Sequence, residues 1–235
     1  MICAIHQPNF FPWLGYFNKI ERADVFVFLD NVDYPKSSKT MSTWSNRVAV
    51  LLNGAKHWIN CPVIREEGKQ KICTVKINNS YDWRTKLIRT LEYNYKKSRH
   101  YHEVSEFIYD LIGYHTEYLA DYNCYIIEEI VKKIRLGGGN IVRQSKMSTC
   151  GASTELLIEI TKMVGCDSYM CGGGAAGYQQ DERFQEEKIK LLYQGFTPKE
   201  YDQGIAECVK GLSVLDTLFH CGFEETKYMI TGGNK

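Results

Sequence analysis

The chain has 235 residues, 44% of them hydrophobic, and its 29 lysines and arginines against 28 aspartates and glutamates leave a net charge of +1. That length buries a proper core, and the charge balance gives no electrostatic case for DNA or for an acidic membrane surface. The N-terminus lacks a basic region followed by an apolar run, and no apolar stretch nears the roughly 20 residues that span a bilayer, so a cytoplasmic setting without membrane insertion is expected. The nine cysteines are scattered without a CxxC pair. They read as reduced, buried thiols rather than as a zinc site or a disulfide framework.

Ile2 to Ile5 form a short apolar strand that hands over, through HQPNFFP, to a helix. Pro12 suits the first helical turn, where the N–H that proline lacks would be unpaired anyway, and Trp13, Phe17 and Ile20 recur at helical spacing. The run ADVFVFLD, Ala23 to Asp30, is continuously apolar, the mark of a strand covered on both faces. Two such strands joined by a helix lie parallel with a right-handed crossover. VAVLLNGAKHWINCPV reads as a hairpin turning at Asn53-Gly54, a dipeptide that tolerates positive φ at both positions. CTVKI, Cys73 to Ile77, reads as another strand.

From about residue 80 to 136 the periodicity becomes helical, carried by Trp83, Leu87, Leu91 and Tyr95 and then by Leu119, Tyr122, Ile126, Ile130 and Ile134. The glycines of LGGGN read as the left-handed stop of that run. The α/β rhythm then resumes with a strand at NIVRQ, a helix capped by Ser153 and stopped by Gly165, and a strand at SYMC that enters a glycine-rich loop. A further strand in IKLLYQGF and a helix opened by a Ser213/Asp216 capping box complete the chain. The expectation is one α/β domain over residues 1–235. It has a mostly parallel sheet with flanking helices, a hairpin in its N-terminal half and a helical insertion at about residues 80–136.

Ligands of open α/β sheets bind beyond the carboxyl ends of the strands, near helix N-termini. His6, Gln7 and Asn9 fall at that edge. A histidine there acts as general base or acid, or holds a phosphate, while Gln7 and Asn9 orient an amide or hydroxyl. Asp30, ending the second strand, would lie beside them, although an aspartate after a strand also serves as a turn residue. CGGGAAGY offers a second candidate: the backbone of Gly172, Gly173 and Gly174 can approach a ligand closely and present successive N–H groups to an anion. It matches neither of the established glycine-rich nucleotide motifs, GxxxxGK[ST] and GxGxxG. Cys171 stands at the strand end, as a nucleophile or as a small buried residue. Asn46 and Arg47 follow a Ser/Thr/Lys-rich loop, and arginine suits a bidentate grip on phosphate or carboxylate. Tyr201 and Gln203 sit in a post-strand loop as ligand contacts. His100 and His102 have no acid or cysteine cluster beside them in sequence and read as a surface turn, so no metal site is expected. SKMST, Ser145 to Thr149, resembles the second signature of class I aminoacyl-tRNA synthetases, which keeps ATP-dependent adenylation open as an alternative.

The blocks IHQPNFFPWLGYFNKI, ADVFVFLDNVDY, NRV, YMCGGGAAGY, FTPKEYDQ and SVLDTLFHCG occur in the order of the WbqC-like family, found among bacterial surface-polysaccharide gene clusters, and the chain resembles that family over nearly its whole length. The resemblance implies transfer of glycine or a similar amino acid to an amino sugar in O-antigen synthesis. It implies a nucleotide-linked amino sugar as substrate and an activated acyl or aminoacyl donor (a carrier thioester, an aminoacyl-tRNA or an adenylate), with no certain cofactor. His6, Gln7 and Asp30 are the catalytic candidates. Asn9, Trp13, Tyr16, Tyr34, Asn46 and Arg47 are substrate contacts from the first half, and Gly172 to Gly174, Tyr178, Tyr201 and Gln203 from the second. Two alternatives stand beside this: an ATP-dependent amino-acid-activating ligase resembling nucleotidylyltransferases, and a non-catalytic sugar-nucleotide-binding accessory protein.

Overall fold

The computed structural model describes residues 1–35, 43–172 and 180–232. Its centre is a five-stranded sheet in the order β7-β2-β1-β8-β9, formed by β1 (Ile2–His6), β2 (Val25–Phe28), β7 (Asn140–Arg143), β8 (Ser168–Cys171) and β9 (Lys190–Tyr193). Every pairing in it is parallel. In order of appearance these are its third, second, first, fourth and fifth strands, so the winding reverses between β1 and β8. In doubly wound sheets a crevice opens at that reversal.

Side chains alternate across the strands. Ala4, Phe26, Phe28 and Met170 join the apolar cluster that contains α1 (Leu14–Arg22) and α7 (Val214–Thr231). Cys3, Ile5, Val25, Val27 and Cys171 face the other way, onto α5 (Ser153–Met163) and α6 (Asp181–Glu186). Three helices, α2 (Trp83–Tyr95), α3 (Tyr101–Gly113) and α4 (Leu119–Lys133), occupy the helical stretch. Their buried residues share the first of these clusters. The hairpin is β3 (Arg47–Leu52) with β4 (Ala55–Asn60), turning through Asn53 at φ 51° and Gly54 at φ 75°. A second short antiparallel pair joins β5 (Val63–Ile64) to β6 (Lys76–Ile77).

Several local expectations are corrected. Pro12 precedes the helix rather than entering it, because Trp13 is the N-cap of α1. The indole of Trp13 lies over Gly15, where a Cβ would stand 2.2 Å from the ring. CTVKI is mostly a 3₁₀ turn, Ile72–Thr74, with two residues of strand after it. The left-handed residue after α4 is Arg135, at φ 54°. Gly138 and Gly139 serve close approach instead: a Cβ would stand 2.4 Å from the Ile20 carbonyl oxygen at Gly138 and 1.7 Å from that of Asp24 at Gly139. Ser153 does not cap α5; Ala152 is the N-cap, and Ser153 is itself left-handed at φ 53°. Ser213 does cap α7 through its hydroxyl, but the Asp216 carboxylate turns to tyrosines and leaves the capping box half made.

Candidate functional site

The carboxyl ends of β1 and β8 open into a cavity of about 490 Å³ with an apolar floor of Ile5, Leu29, Leu156 and Leu157. A second cavity, about 390 Å³, adjoins it on the Trp13, Tyr16 and Phe196 side. His6, Lys19 and Gly172 line both, so they form the neck between them.

His6 points to the face of the sheet that α1 covers, and its ring meets Tyr16 edge-on at 4.8 Å. Nδ1 lies 3.0 Å from the Gln7 carbonyl oxygen, which also accepts the Tyr16 hydroxyl at 3.0 Å. A carbonyl has no proton to give, so Nδ1 carries the hydrogen and Nε2 keeps its lone pair. Burial first, and then the nearby Lys19 ammonium, push the imidazole down to about 3 against the weak pull of the Gln7 carbonyl. His6 is therefore neutral at physiological pH with the Nε2 lone pair unprotonated, and the same burial and ammonium lower its basicity.

Lys19 was not among the residues the sequence singled out. It is 4% exposed on α1, and among the described residues no carboxylate or hydrogen-bond acceptor partners its ammonium. Burial draws it down to about 8, partly offset by the thiols of Cys171 and Cys3. An unpartnered cation at the neck of a cavity is unfavourable for the fold alone. The sequence held one signal for it: at three and four residues on either side of Lys19 stand Gly15, Tyr16, Arg22 and Ala23, none of them acidic.

Of the predicted residues, His6, Gln7, Trp13, Tyr16 and Gly172 come together at these cavities. Gly173, Gly174 and Tyr178 lie outside the described residues. Asn9 is buried in the turn and lines neither cavity; the turn is held by Asn123, which donates to the Pro8 carbonyl at 2.9 Å, and by Phe10, whose N–H reaches the Trp44 carbonyl at 3.1 Å. Cys171 faces the α5 side, with Sγ donating to the Leu192 carbonyl at 3.5 Å.

The remaining candidates sit in networks of their own. Asp30 is fully buried, and its carboxylate accepts from Arg143 Nε at 2.7 Å, the Ser145 N–H at 2.8 Å and the Ser145 hydroxyl at 2.7 Å. That set welds β2 to β7 and ties down the first residue of the SKMST loop. Asn46 accepts from the Thr43 N–H at 2.9 Å and donates to the Cys61 carbonyl at 3.1 Å, which closes the base of the hairpin. Arg47 stacks on Trp58 at 4.4 Å, beside the exposed Trp44. Tyr34 is buried under the Arg65 guanidinium. Tyr201 and Gln203 join Tyr95 around the buried Asp216 carboxylate, both tyrosine hydroxyls donating at 2.6 Å. His100 Nδ1 donates to the Glu103 carboxylate at 2.7 Å, and no group of three metal-binding side chains occurs among the described residues. A broader groove of about 810 Å³ runs along α2 beside Lys86, Arg89 and Tyr93 and carries none of the predicted site residues.

The fold is that of a parallel, doubly wound α/β protein, with a histidine and a lysine that has no partner among the described residues at the reversal point of the sheet. The chain belongs to the WbqC-like protein family, whose profile matches residues 7–228. It is 27% identical, over 96% of each chain, to the uncharacterized protein Rv1507c of Mycobacterium tuberculosis. No solved structure matches it. No helix of the described residues is long and apolar enough to cross a membrane.

Proposed function

We propose that the protein is an acyl- or aminoacyltransferase that acylates the amine of a nucleotide-linked amino sugar for a bacterial surface polysaccharide, with His6 as general base. The observation that carries the reading is geometric: His6 stands at the neck between two cavities, with Nδ1 3.0 Å from the Gln7 carbonyl oxygen, so that Nε2 is the ring nitrogen left to take a proton. Two cavities suit two substrates. The amine lone pair attacks the donor's carbonyl carbon, and the bond from that carbon to sulfur or oxygen breaks with its electron pair going to the leaving group. Nε2 takes the amine's proton and returns it to that leaving group. The backbone N–H of Gly172 is the described part of the loop proposed to stabilise the developing oxyanion. Nine reduced cysteines suit a cytoplasmic enzyme. The test is His6→Ala, assayed with sugar nucleotides and activated glycine donors. Transfer should fall at least about a hundredfold; activity within a few-fold of the unaltered protein removes His6 from the mechanism.

A second reading, ATP-dependent activation of the amino acid, draws on the strand order, which is that of nucleotide-binding sheets, and on the SKMST loop at the same sheet edge. It requires pyrophosphate exchange into ATP, and absence of exchange with every amino acid tried excludes it. A tight sugar-nucleotide complex that turns over with no donor would instead assign a binding role.

A further inference from the structure

The sites of attack and of ligand anchoring need not coincide, and the crevice contains a second feature that the proton transfer does not use. The first residues of α5, Ser153 and Thr154, line the 490 Å³ cavity together with Lys19. The N-cap residue Ala152 brings no side-chain acceptor to that helix end, so nothing from the cap covers the first-turn N–H groups. The carboxylate among the described lining residues, Asp33, is already paired with Lys71 at 2.7 Å and Lys69 at 3.5 Å. The acidic groups at that helix end are already engaged, Glu155 with Arg183 at 2.8 Å and Glu159 with the Cys150 and Gly151 N–H groups. Among the described lining residues the cavity therefore presents a buried ammonium and the start of an 11-residue helix with no unpaired carboxylate between them.

We propose that Lys19 and the first turn of α5 form a diphosphate subsite that holds the nucleotide portion of the ligand in the crevice between β1 and β8. Phosphate oxygens accept from backbone N–H groups at a helix end, and a lysine supplies the compact charge that such sites use. The inference rests on the crevice being the substrate site. It adds the chemical class of the anchor: the ligand is recognised through adjacent phosphates, with the reacting group carried on toward His6. Gly172 fits this arrangement, since a Cβ there would meet Lys19 Nζ at 3.6 Å and a larger side chain would reach into the anion position.

The experiment titrates inorganic pyrophosphate into the full chain by calorimetry, alongside Lys19→Met and Gly172→Asp. The first variant removes the cation; the second sets a carboxylate beside it that competes with the ligand. Pyrophosphate should bind the unaltered protein and weaken by about tenfold or more in both variants, while both melt at a higher temperature than the parent because the buried charge is removed or paired. The raised melting temperature shows that lost binding is not lost folding. Affinity within about twofold of the parent in both variants, or no binding to the parent at millimolar pyrophosphate, overturns the proposal. A uridine-diphosphate hexosamine and ATP are then tested as competitors. The one that displaces pyrophosphate at the lower concentration identifies the source of the phosphates, and failure of both overturns the subsite. None of these readouts needs acyl transfer, so this result and the His6→Ala result stand or fall separately.

Discussion

Asp216 and Lys19 are both buried ionisable residues, and they are treated in opposite ways. Around Asp216 every oxygen has a donor: Tyr95, Tyr201 and Gln203 converge on it from α2, from the loop before α7 and from within that loop. Asp30 is handled in the same manner by Arg143 and Ser145. At the crevice between β1 and β8 the Lys19 ammonium has no partner among the described residues, and His6 Nε2 keeps an open lone pair. A polar cluster that is complete in the folded chain does architectural work, because its groups have no capacity left for a ligand. A cluster left incomplete weakens the fold and keeps hydrogen-bonding capacity for a ligand.

That contrast can be broken at either end. The largest effect is expected from His6→Ala, which should lower kcat/KM for acyl transfer by roughly 10²–10⁴-fold, the usual share of a general base. Its melting temperature should barely change, and a large drop in stability would move His6 into the architectural group. Next, Asp216→Ala should cost roughly 3–5 kcal/mol in urea unfolding, because two tyrosine hydroxyls and an amide lose a buried acceptor together. A cost below about 1 kcal/mol would show that the completed network is not what holds the loop to α7.

Lys19→Met should change stability in the other direction. Burial holds Lys19 near 8 instead of 10.5, so the unfolded chain binds the extra proton between those values and stability rises with pH across that window. The charged lysine weakens the fold fully below pH 8, and the penalty fades as pH climbs toward 10.5. Removing it should stabilise the protein by roughly 3–4 kcal/mol at neutral pH, about 1.4 for each unit of depression, and by nearly nothing at the alkaline end. A loss of stability at neutral pH would mean that Lys19 is partnered after all. The smallest signal is spectroscopic: His6 nitrogen shifts should show no titration from pH 8 down to 5, since the imidazole is held near 3. A midpoint near the ordinary 6.5 would show that neither burial nor the Lys19 ammonium depresses the ring.

The sequence made the sheet readable, because continuous apolar runs such as VFVF mark strands covered on both faces, and it placed His6 at a strand end beside a proline turn. It did not separate site from scaffold. Tyr201 and Gln203 look like ligand contacts in a row of letters, yet their partner is a carboxylate 15 and 13 positions away. Asp30 finds Arg143 113 residues on, across a strand pairing that local pattern does not specify. Lys19 was hidden for the opposite reason: a lysine on a short helix reads as a solvated residue, and only the fold puts that side of α1 against the sheet edge.

The most direct measurement is a crystal structure of the protein soaked with a nucleotide-diphosphate amino sugar. The account predicts phosphate oxygens within hydrogen-bond distance of Lys19 Nζ and the first-turn N–H groups of α5, with the sugar amine at His6 Nε2. Ligand seated instead in the groove along α2, or against Trp44 and Trp58 with the crevice empty, would contradict it.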